Sequence, residues 1–105
     1  MGRVAYVNGS YVPHSEAAVH IEDRGYQFAD GVYEVTAVYK GILIDEQGHI
    51  DRLDRSLREL QIAWPVAPRV YGMLMREVMR RNRLSNGSIY QQVTRGVAPR
   101  NHNFP

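Results

Sequence analysis

The stretches that decide the fold read VYEVTAVYK at residues 32–40 and HIDRLDRSLRELQI at residues 49–62. The first is rich in β-branched and aromatic residues, which favour strands. Its alternate side chains share one face, as in a strand: Tyr33, Val35, Ala37 and Tyr39. Apolar residues in the second recur at helical spacing: Ile50, Leu53, Leu57 and Leu60. The period thus changes from two to 3.6, and a strand followed by an amphipathic helix is predicted.

Turn signals on both sides extend this plan. Asn8-Gly9 lies between two short β-rich runs and predicts a hairpin, and Lys40-Gly41 predicts a second one. Pro68 marks the first position of a second helix, and residues 88–94 have strand character. Together these elements predict an α+β fold in which an antiparallel sheet carries two helices on one face.

Length and composition limit the class of protein. The 105 residues fit one domain, and the 44% hydrophobic and 23% charged residues are typical of a folded chain. A net charge of +2 falls short of the basic surface that nucleic-acid binding uses. No apolar run approaches the roughly 20 residues of a membrane span, and the N-terminus lacks a signal-peptide pattern. We therefore expect a cytoplasmic protein with neither nucleic acid nor membrane as a partner.

Several kinds of site are disfavoured by the residues themselves. The chain has no cysteine, which removes disulfides and thiolate nucleophiles, and its four histidines are far apart in sequence. Neither of the usual glycine-rich phosphate loops is present. The sequence therefore predicts no metal site and no familiar nucleotide cradle.

Two segments mix charges, aromatics and glycines without either periodicity, at residues 22–34 and 94–105. The second offers Arg100 and His102 on a backbone stiffened by proline. Because a guanidinium matches a carboxylate or phosphate bidentately, this segment is suited to an anionic ligand. The alternative is a solvated surface loop.

These segments resemble the fold-type-IV pyridoxal-phosphate enzymes, and among them the D-amino acid aminotransferase branch. The resemblance rests on EDRGYQF and DGVYEV within residues 22–35, HIDRL at residues 49–53, and IY, TRG, PR and H-x-FP within residues 89–105. These motifs occur in order and span nearly the whole chain. The Arg-x-His element favours this branch over the branched-chain aminotransferases. The resemblance implies the small N-terminal domain of such an enzyme, with pyridoxal 5'-phosphate as the cofactor of a homodimer.

The resemblance also implies roles for single residues. Arg52 would hold the cofactor phosphate, which suits a dianion that needs a charged, bidentate partner; a surface ion pair on its helix is the alternative. Tyr33, Arg100 and His102 would bind the substrate α-carboxylate, with Arg100 and His102 supplied by the neighbouring subunit. Val35 would form a pocket wall, or simply part of the core.

One departure from the family is large. Transamination needs a lysine that forms a Schiff base with the cofactor and a carboxylate on the pyridine nitrogen, and neither has a candidate here. The single lysine, Lys40, lies at a predicted hairpin turn. We therefore assign no catalytic residue to this chain. Residues 1–105 are expected to be the N-terminal small domain of a longer enzyme, inactive alone because the C-terminal domain with the lysine is absent.

The activity expected of the longer enzyme is exchange of an amino group between a D-amino acid and a 2-oxo acid. Two alternatives remain open at this stage. The first is another class IV enzyme, a branched-chain aminotransferase or an aminodeoxychorismate lyase. The second is a non-catalytic binding or oligomerisation module.

Overall fold

The computed structural model describes residues 2–98. The strands are β1 (Val4–Val7), β2 (Ser10–Pro13), β3 (Gly31–Tyr39), β4 (Ile42–Leu43) and β5 (Gly87–Thr94). The helices are α1 (Arg24–Phe28), α2 (Glu46–Leu60) and α3 (Pro68–Arg81), with one 3₁₀ turn at His14–Glu16. The fold is α+β, as the sequence predicts.

The strands form two antiparallel sheets. β1 and β2 pair as a hairpin closed between Val7 and Ser10, which confirms the turn predicted at Asn8-Gly9. The second sheet has the order β4-β3-β5. Its longest pairing joins β3 to β5, from Gly31 opposite Thr94 to Val38 opposite Gly87. The central strand β3 is therefore the frame on which the rest of the domain is arranged.

The two faces of β3 differ in burial. Glu34, Thr36 and Val38 point inward and are buried. The opposite face, which carries the predicted row from Tyr33 to Tyr39, is exposed. Val35 lies in that row and is 45% exposed, so the alternative that placed it in the core is wrong for this chain.

The core lies between the inner face of the larger sheet and the two long helices. Its buried hydrophobic residues come from β3, β4, α2, α3 and β5: Val38, Leu43, Leu53, Leu57, Tyr71, Met75, Met79, Ile89 and Val93. α2 and α3 supply more than half of them because each presents one apolar stripe. Within residues 2–98, no helix has the length and apolarity required to cross a membrane.

The start of one helix and the presence of another differ from the sequence-based expectation. α2 begins at Glu46 rather than His49, since its first turn is polar and gives no hydrophobic period. Residues 24–28, expected as loop, form α1, which starts where the Asp23 carboxylate accepts a hydrogen bond from the Gly25 amide at 2.8 Å. Pro68 opens α3 as predicted.

Asn82, which follows α3, attaches the N-terminal hairpin to the rest of the domain. Its Oδ1 accepts from the Val4 amide at 2.8 Å, and its Nδ2 donates to the Val4 carbonyl at 2.9 Å. The side-chain amide thus pairs with one strand residue as a neighbouring strand would. Arg81 adds a contact over the Tyr11 ring, 4.2 Å from its centroid.

Candidate functional site

A buried carboxylate and two basic side chains form the main polar cluster between β3 and α2. Arg52 donates from Nε to Glu34 Oε2 and from Nη2 to Glu34 Oε1, both at 2.8 Å. His49 Nδ1 lies 2.6 Å from Glu34 Oε1. We call these three residues the Glu34 cluster. Its parallel two-bond contact is the strong, directional form of an arginine–carboxylate pair.

Local structure explains why the three residues meet. His49 and Arg52 are three positions apart on α2, so their side chains share one face of the helix. Glu34 points from the inner face of β3 toward that helix. The Glu34 side chain is 4% exposed and that of Arg52 is 56% exposed. Glu34 therefore anchors the Arg52 side chain from the inner face of β3, and more than half of that side chain remains in solvent.

The charges in the cluster stabilise one another. The hydrogen bonds from Arg52 hold the pKa of Glu34 below its ordinary value, and His49 adds to this against the opposing effect of burial. The same contact raises the pKa of Arg52. Because ionised Glu34 can only accept hydrogen bonds, His49 Nδ1 is the donor in the contact between them.

The exposed face of the sheet presents aromatic rings near this cluster. Tyr33 stacks on Tyr90 of β5, with centroids 5.8 Å apart and planes inclined by 15°. The Tyr90 hydroxyl donates to Gln92 Oε1 at 3.0 Å. Tyr33 precedes Glu34 in β3, and the two side chains point to opposite faces of the strand. The phenol of Tyr33 and the guanidinium held by Glu34 therefore lie at neighbouring positions of β3.

The two irregular segments of the sequence meet beside this end of the sheet. The Arg24 amide donates to the Gly96 carbonyl at 2.8 Å, and the Ala98 amide donates to Glu22 at 3.3 Å. Contact is so close that a Cβ added at Gly25 would lie 2.2 Å from a methyl carbon of Thr94. The segment at residues 22–34 thus holds the backbone of the second segment in place as far as residue 98.

The predicted site residues divide into two groups. Arg52 and Tyr33 are described, and the structure places both at the strand end where the Glu34 cluster lies. Arg100 and His102 lie outside the described residues. For Arg52, the alternative of a pair among the charges of its own helix is wrong, because its partner is Glu34 of β3.

Sequence reasoning missed Glu34, His49 and Tyr90. One signal for Glu34 was available: a carboxylate at every-second-residue spacing with Thr36 and Val38 needs a buried partner if that face is the inner one. The His49–Arg52 spacing of three residues was the second signal. Among residues 2–98, no three acidic or histidine side chains are grouped closely enough to hold a metal ion.

Comparisons with known proteins show which family this chain resembles in sequence and in fold. A family model described as amino-transferase class IV matches residues 31–105. D-alanine aminotransferase from Staphylococcus haemolyticus is 43% identical over 100 residues, which cover 95% of this chain and 36% of that protein. The enzyme of the same name from Bacillus licheniformis is 45% identical over 97 residues, or 92% of this chain and 34% of that protein.

Solved structures show the same fold. Branched-chain amino acid aminotransferase from Escherichia coli matches with a TM-score of 0.90 and 20% identity, over 100% of this chain and 37% of that one. The chain therefore has the fold of the N-terminal domain of fold-type-IV aminotransferases, and it spans about one third of the length of the relatives it matches. With a family model covering more than half of its residues, this chain belongs to the class IV aminotransferase family.

Proposed function

We propose that residues 1–105 are the N-terminal small domain of a pyridoxal-phosphate-dependent D-amino acid aminotransferase of the cytoplasm. The full-length enzyme exchanges an amino group between a D-amino acid and a 2-oxo acid. The identity of 43–45% to proteins named D-alanine aminotransferase supports the D-amino acid branch. The observation that carries the proposal is the arginine held bidentately by Glu34 beside the exposed ring of Tyr33.

Arg52 is the residue proposed to bind the cofactor phosphate. Two of its nitrogens, Nε and Nη2, are engaged by Glu34, while Nη1 has no hydrogen-bond partner among the described residues. A guanidinium fixed on one edge and open on the other fits an oxyanion, because the anchor lowers the entropy lost on binding. His49 lies on the same face of α2 as Arg52 and contacts the same carboxylate.

Tyr33, Arg100 and His102 are the residues proposed to bind the substrate α-carboxylate. Tyr33 is supported by its exposed position on β3, next to Glu34 in sequence and stacked on Tyr90. Arg100 and His102 are proposed to reach the site from the neighbouring subunit of a homodimer. Val35, which shares the outer face with Tyr33, is proposed as a wall of the side-chain pocket.

Pyridoxal phosphate, when bound, supplies the electron sink for proton removal at the substrate Cα. The described residues bind and orient: Arg52 fixes the anionic end of the cofactor, Glu34 fixes Arg52, and Tyr33 offers a hydroxyl to the carboxylate. Lys40 does not take part, since it lies in the β3–β4 turn with its ammonium 5.3 Å from the centre of the Tyr39 ring. The lysine and the pyridine partner belong to the C-terminal domain.

A composite enzyme tests the proposal. In it, residues 1–105 replace the part of the Staphylococcus haemolyticus D-alanine aminotransferase that they match. We expect the composite enzyme to bind pyridoxal phosphate and to convert D-alanine with 2-oxoglutarate as amino acceptor. A folded composite enzyme that binds the cofactor but prefers branched-chain L-amino acids, or acts as an aminodeoxychorismate lyase, would assign the chain to another branch of the family.

The 105-residue chain alone provides the matched control. Mixed with pyridoxal phosphate and then borohydride, it is expected to give no stoichiometric adduct at Lys40 and no turnover of D-alanine. A specific adduct at Lys40, located by mass spectrometry of the digested chain, would contradict the assignment of the lysine to another domain. The reading frame of the gene after the codon for Pro105 also tests whether the catalytic lysine lies in another domain. A true stop codon directly after Pro105 would favour a non-catalytic module.

A further inference from the structure

A second buried ion cluster lies where β3 begins and α2 ends. Asp30, directly before β3, accepts from Arg95 Nε at 2.7 Å and from Arg95 Nη2 at 3.2 Å. It also accepts from Arg24 Nε at 3.0 Å. All three side chains are largely buried. We call these residues the Asp30 clamp.

Arg95 reaches beyond the sheet to the end of α2. Its Nη2 donates to the Leu60 carbonyl at 2.7 Å, and its Nη1 donates to the Gln61 carbonyl at 3.3 Å. Carbonyls in the last turn of a helix have no partner within the helix, so this guanidinium caps α2. One side chain therefore joins the end of β5, the start of β3 and the C-terminus of α2.

The clamp and the Glu34 cluster tie the same strand to the same helix at matched distances. Asp30 and Glu34 are four residues apart on an extended chain, or about 13 Å. Arg52 and Leu60 are eight residues apart on α2, or about 12 Å. Because the strand and the helix run in opposite directions, Asp30 lies opposite Leu60 while Glu34 lies opposite Arg52.

The core side chains Leu53 and Leu57 hold one face of α2, and the Glu34 pair adds a polar contact near the middle of the helix. Arg95 fixes the C-terminal end of the same helix, about 12 Å away. A shift of that end would tilt α2 and change the direction in which Arg52 Nη1 points, so that direction depends on Arg95.

We propose that Arg95, held by Asp30, is a positioning residue that sets the direction of the anion-binding edge of Arg52. This inference rests on the proposed function of Arg52 as the phosphate ligand. The arrangement favours arginine at position 95, because its donors are spread over three nitrogens that reach the Asp30 carboxylate and both helix carbonyls, whereas an ammonium has all its donors on one atom. Charge alone at this position is not sufficient.

The test compares Arg95→Lys with Arg58→Lys in the composite enzyme. Both variants keep the charge, but Arg58 lies on α2 in an exposed pair with Asp54 and touches neither cluster. The dissociation constant of pyridoxal phosphate, measured by absorbance titration, is expected to rise about tenfold for Arg95→Lys and to stay within twofold for Arg58→Lys. With the cofactor saturating, kcat is expected to stay close to that of the unmodified composite enzyme.

A second readout uses the 105-residue chain without cofactor. Hydrogen exchange of the Arg52 Nε proton, followed by NMR, reports directly on the bond to Glu34. In Arg95→Lys it is expected to accelerate severalfold relative to the core amides of Leu53 and Leu57. An equal acceleration at all three positions, or none at Arg52, would reduce Arg95 to a general contributor to stability and overturn the proposal.

The two proposals fail in different ways. If the unmodified composite enzyme does not bind pyridoxal phosphate, the proposed function is wrong, whereas the exchange of the Arg52 Nε proton still decides the role of Arg95. If the composite enzyme binds the cofactor and Arg95→Lys binds it equally well, the positioning role is wrong and the proposed function stands. Should Arg95→Lys fail to fold, Asp30→Asn keeps the size of the side chain and provides the same comparison.

Discussion

The Asp30 clamp and the Glu34 cluster are built from the same parts and differ in how open they are. Each has a buried carboxylate, Asp30 directly before β3 or Glu34 within it. Each carboxylate is held by an arginine and a second basic side chain. Arg95 of the clamp is 15% exposed, whereas Arg52 is 56% exposed. In the clamp every carboxylate contact is enclosed by protein, and in the Glu34 cluster one edge of the guanidinium faces outward.

This difference distinguishes a structural ion cluster from a candidate binding site. A closed ion cluster contributes mainly by holding backbone segments together, and removing one member leaves uncompensated buried charge. An open one retains donors for a ligand while its anchor limits their motion. The same pairing of residue types therefore has two consequences, and the exposed fraction of the arginine decides between them.

The largest expected effect comes from removing the anion of the clamp. Asp30→Ala leaves Arg24 and Arg95 close together and largely buried without their shared carboxylate. We expect the free energy of unfolding of the 105-residue chain to fall by about 3–5 kcal/mol, measured by urea denaturation. Arg58→Ala, which breaks an exposed pair, is the control and is expected to have no measurable effect. Equal losses for the two variants would remove the distinction between buried and exposed pairs.

The next effect concerns the proposed substrate carboxylate ligands beyond the described residues. Arg100→Ala in the composite enzyme is expected to lower kcat/KM for D-alanine by about 100-fold, because positioning at a site built for one geometry is lost. His102→Ala should cost less, since an imidazole offers one donor where a guanidinium offers a fork. If Arg100→Ala and Arg100→Lys both match the unmodified enzyme in efficiency and in D over L preference, the carboxylate is bound elsewhere.

Removing the open arginine is expected to weaken cofactor binding. Arg52→Ala should raise the dissociation constant of pyridoxal phosphate in the composite enzyme roughly ten- to a hundredfold, because a charge-assisted contact is lost. Arg55→Ala, three positions further along α2 and also exposed, is the matched control and should leave the constant unchanged. An unchanged constant for Arg52→Ala would exclude the phosphate role.

The smallest expected effect is a decrease in the free energy of unfolding as the pH is lowered. Hydrogen bonds from Arg95 lower the pKa of Asp30, and those from Arg52 lower the pKa of Glu34. A carboxyl whose pKa is lower in the folded state binds fewer protons there, so its contribution is complete above the unfolded pKa of about 4 and is lost as pH falls. Urea denaturation from pH 6 to pH 3 should show this decline.

The same titration can separate the two clusters. Asp30→Asn should make the decline of stability with falling pH shallower, because one of the two depressed carboxyls no longer titrates. An unchanged slope would mean that Asp30 is not ionised more readily in the folded chain than in the unfolded one. The comparison variant is Glu34→Gln, which removes the corresponding titration from the open cluster.

Much of the backbone was predictable because its signals are local. Asn8-Gly9 predicts the first hairpin, and Pro68 predicts the start of α3, since each residue type restricts its own backbone. α1 was missed because its five residues have no apolar period, and its start depends on the Asp23 side chain. The extra first turn of α2 was missed for the same reason.

The site was less predictable because its partners are distant in sequence. Glu34 and Arg52 are 18 residues apart, and Asp30 and Arg95 are 65 apart, so no local pattern reports either pair. The outer face of β3, with Tyr33 and Val35, is as apolar as many inner faces. The inner face of β3 is the one that carries Glu34, which pairs with Arg52 of α2. Hydrophobic periodicity does not report a pair of charged residues that are distant in sequence.

The attachment of the N-terminal hairpin by Asn82 has a consequence for the order of events during synthesis. An isolated two-stranded hairpin is only marginally stable in water. The side chain that receives β1 is 78 residues away from Val4, and at about 5–20 residues per second it leaves the ribosome roughly 4–16 seconds later. The first part of the chain to be made is therefore among the last to dock, and it spends that interval available to chaperones.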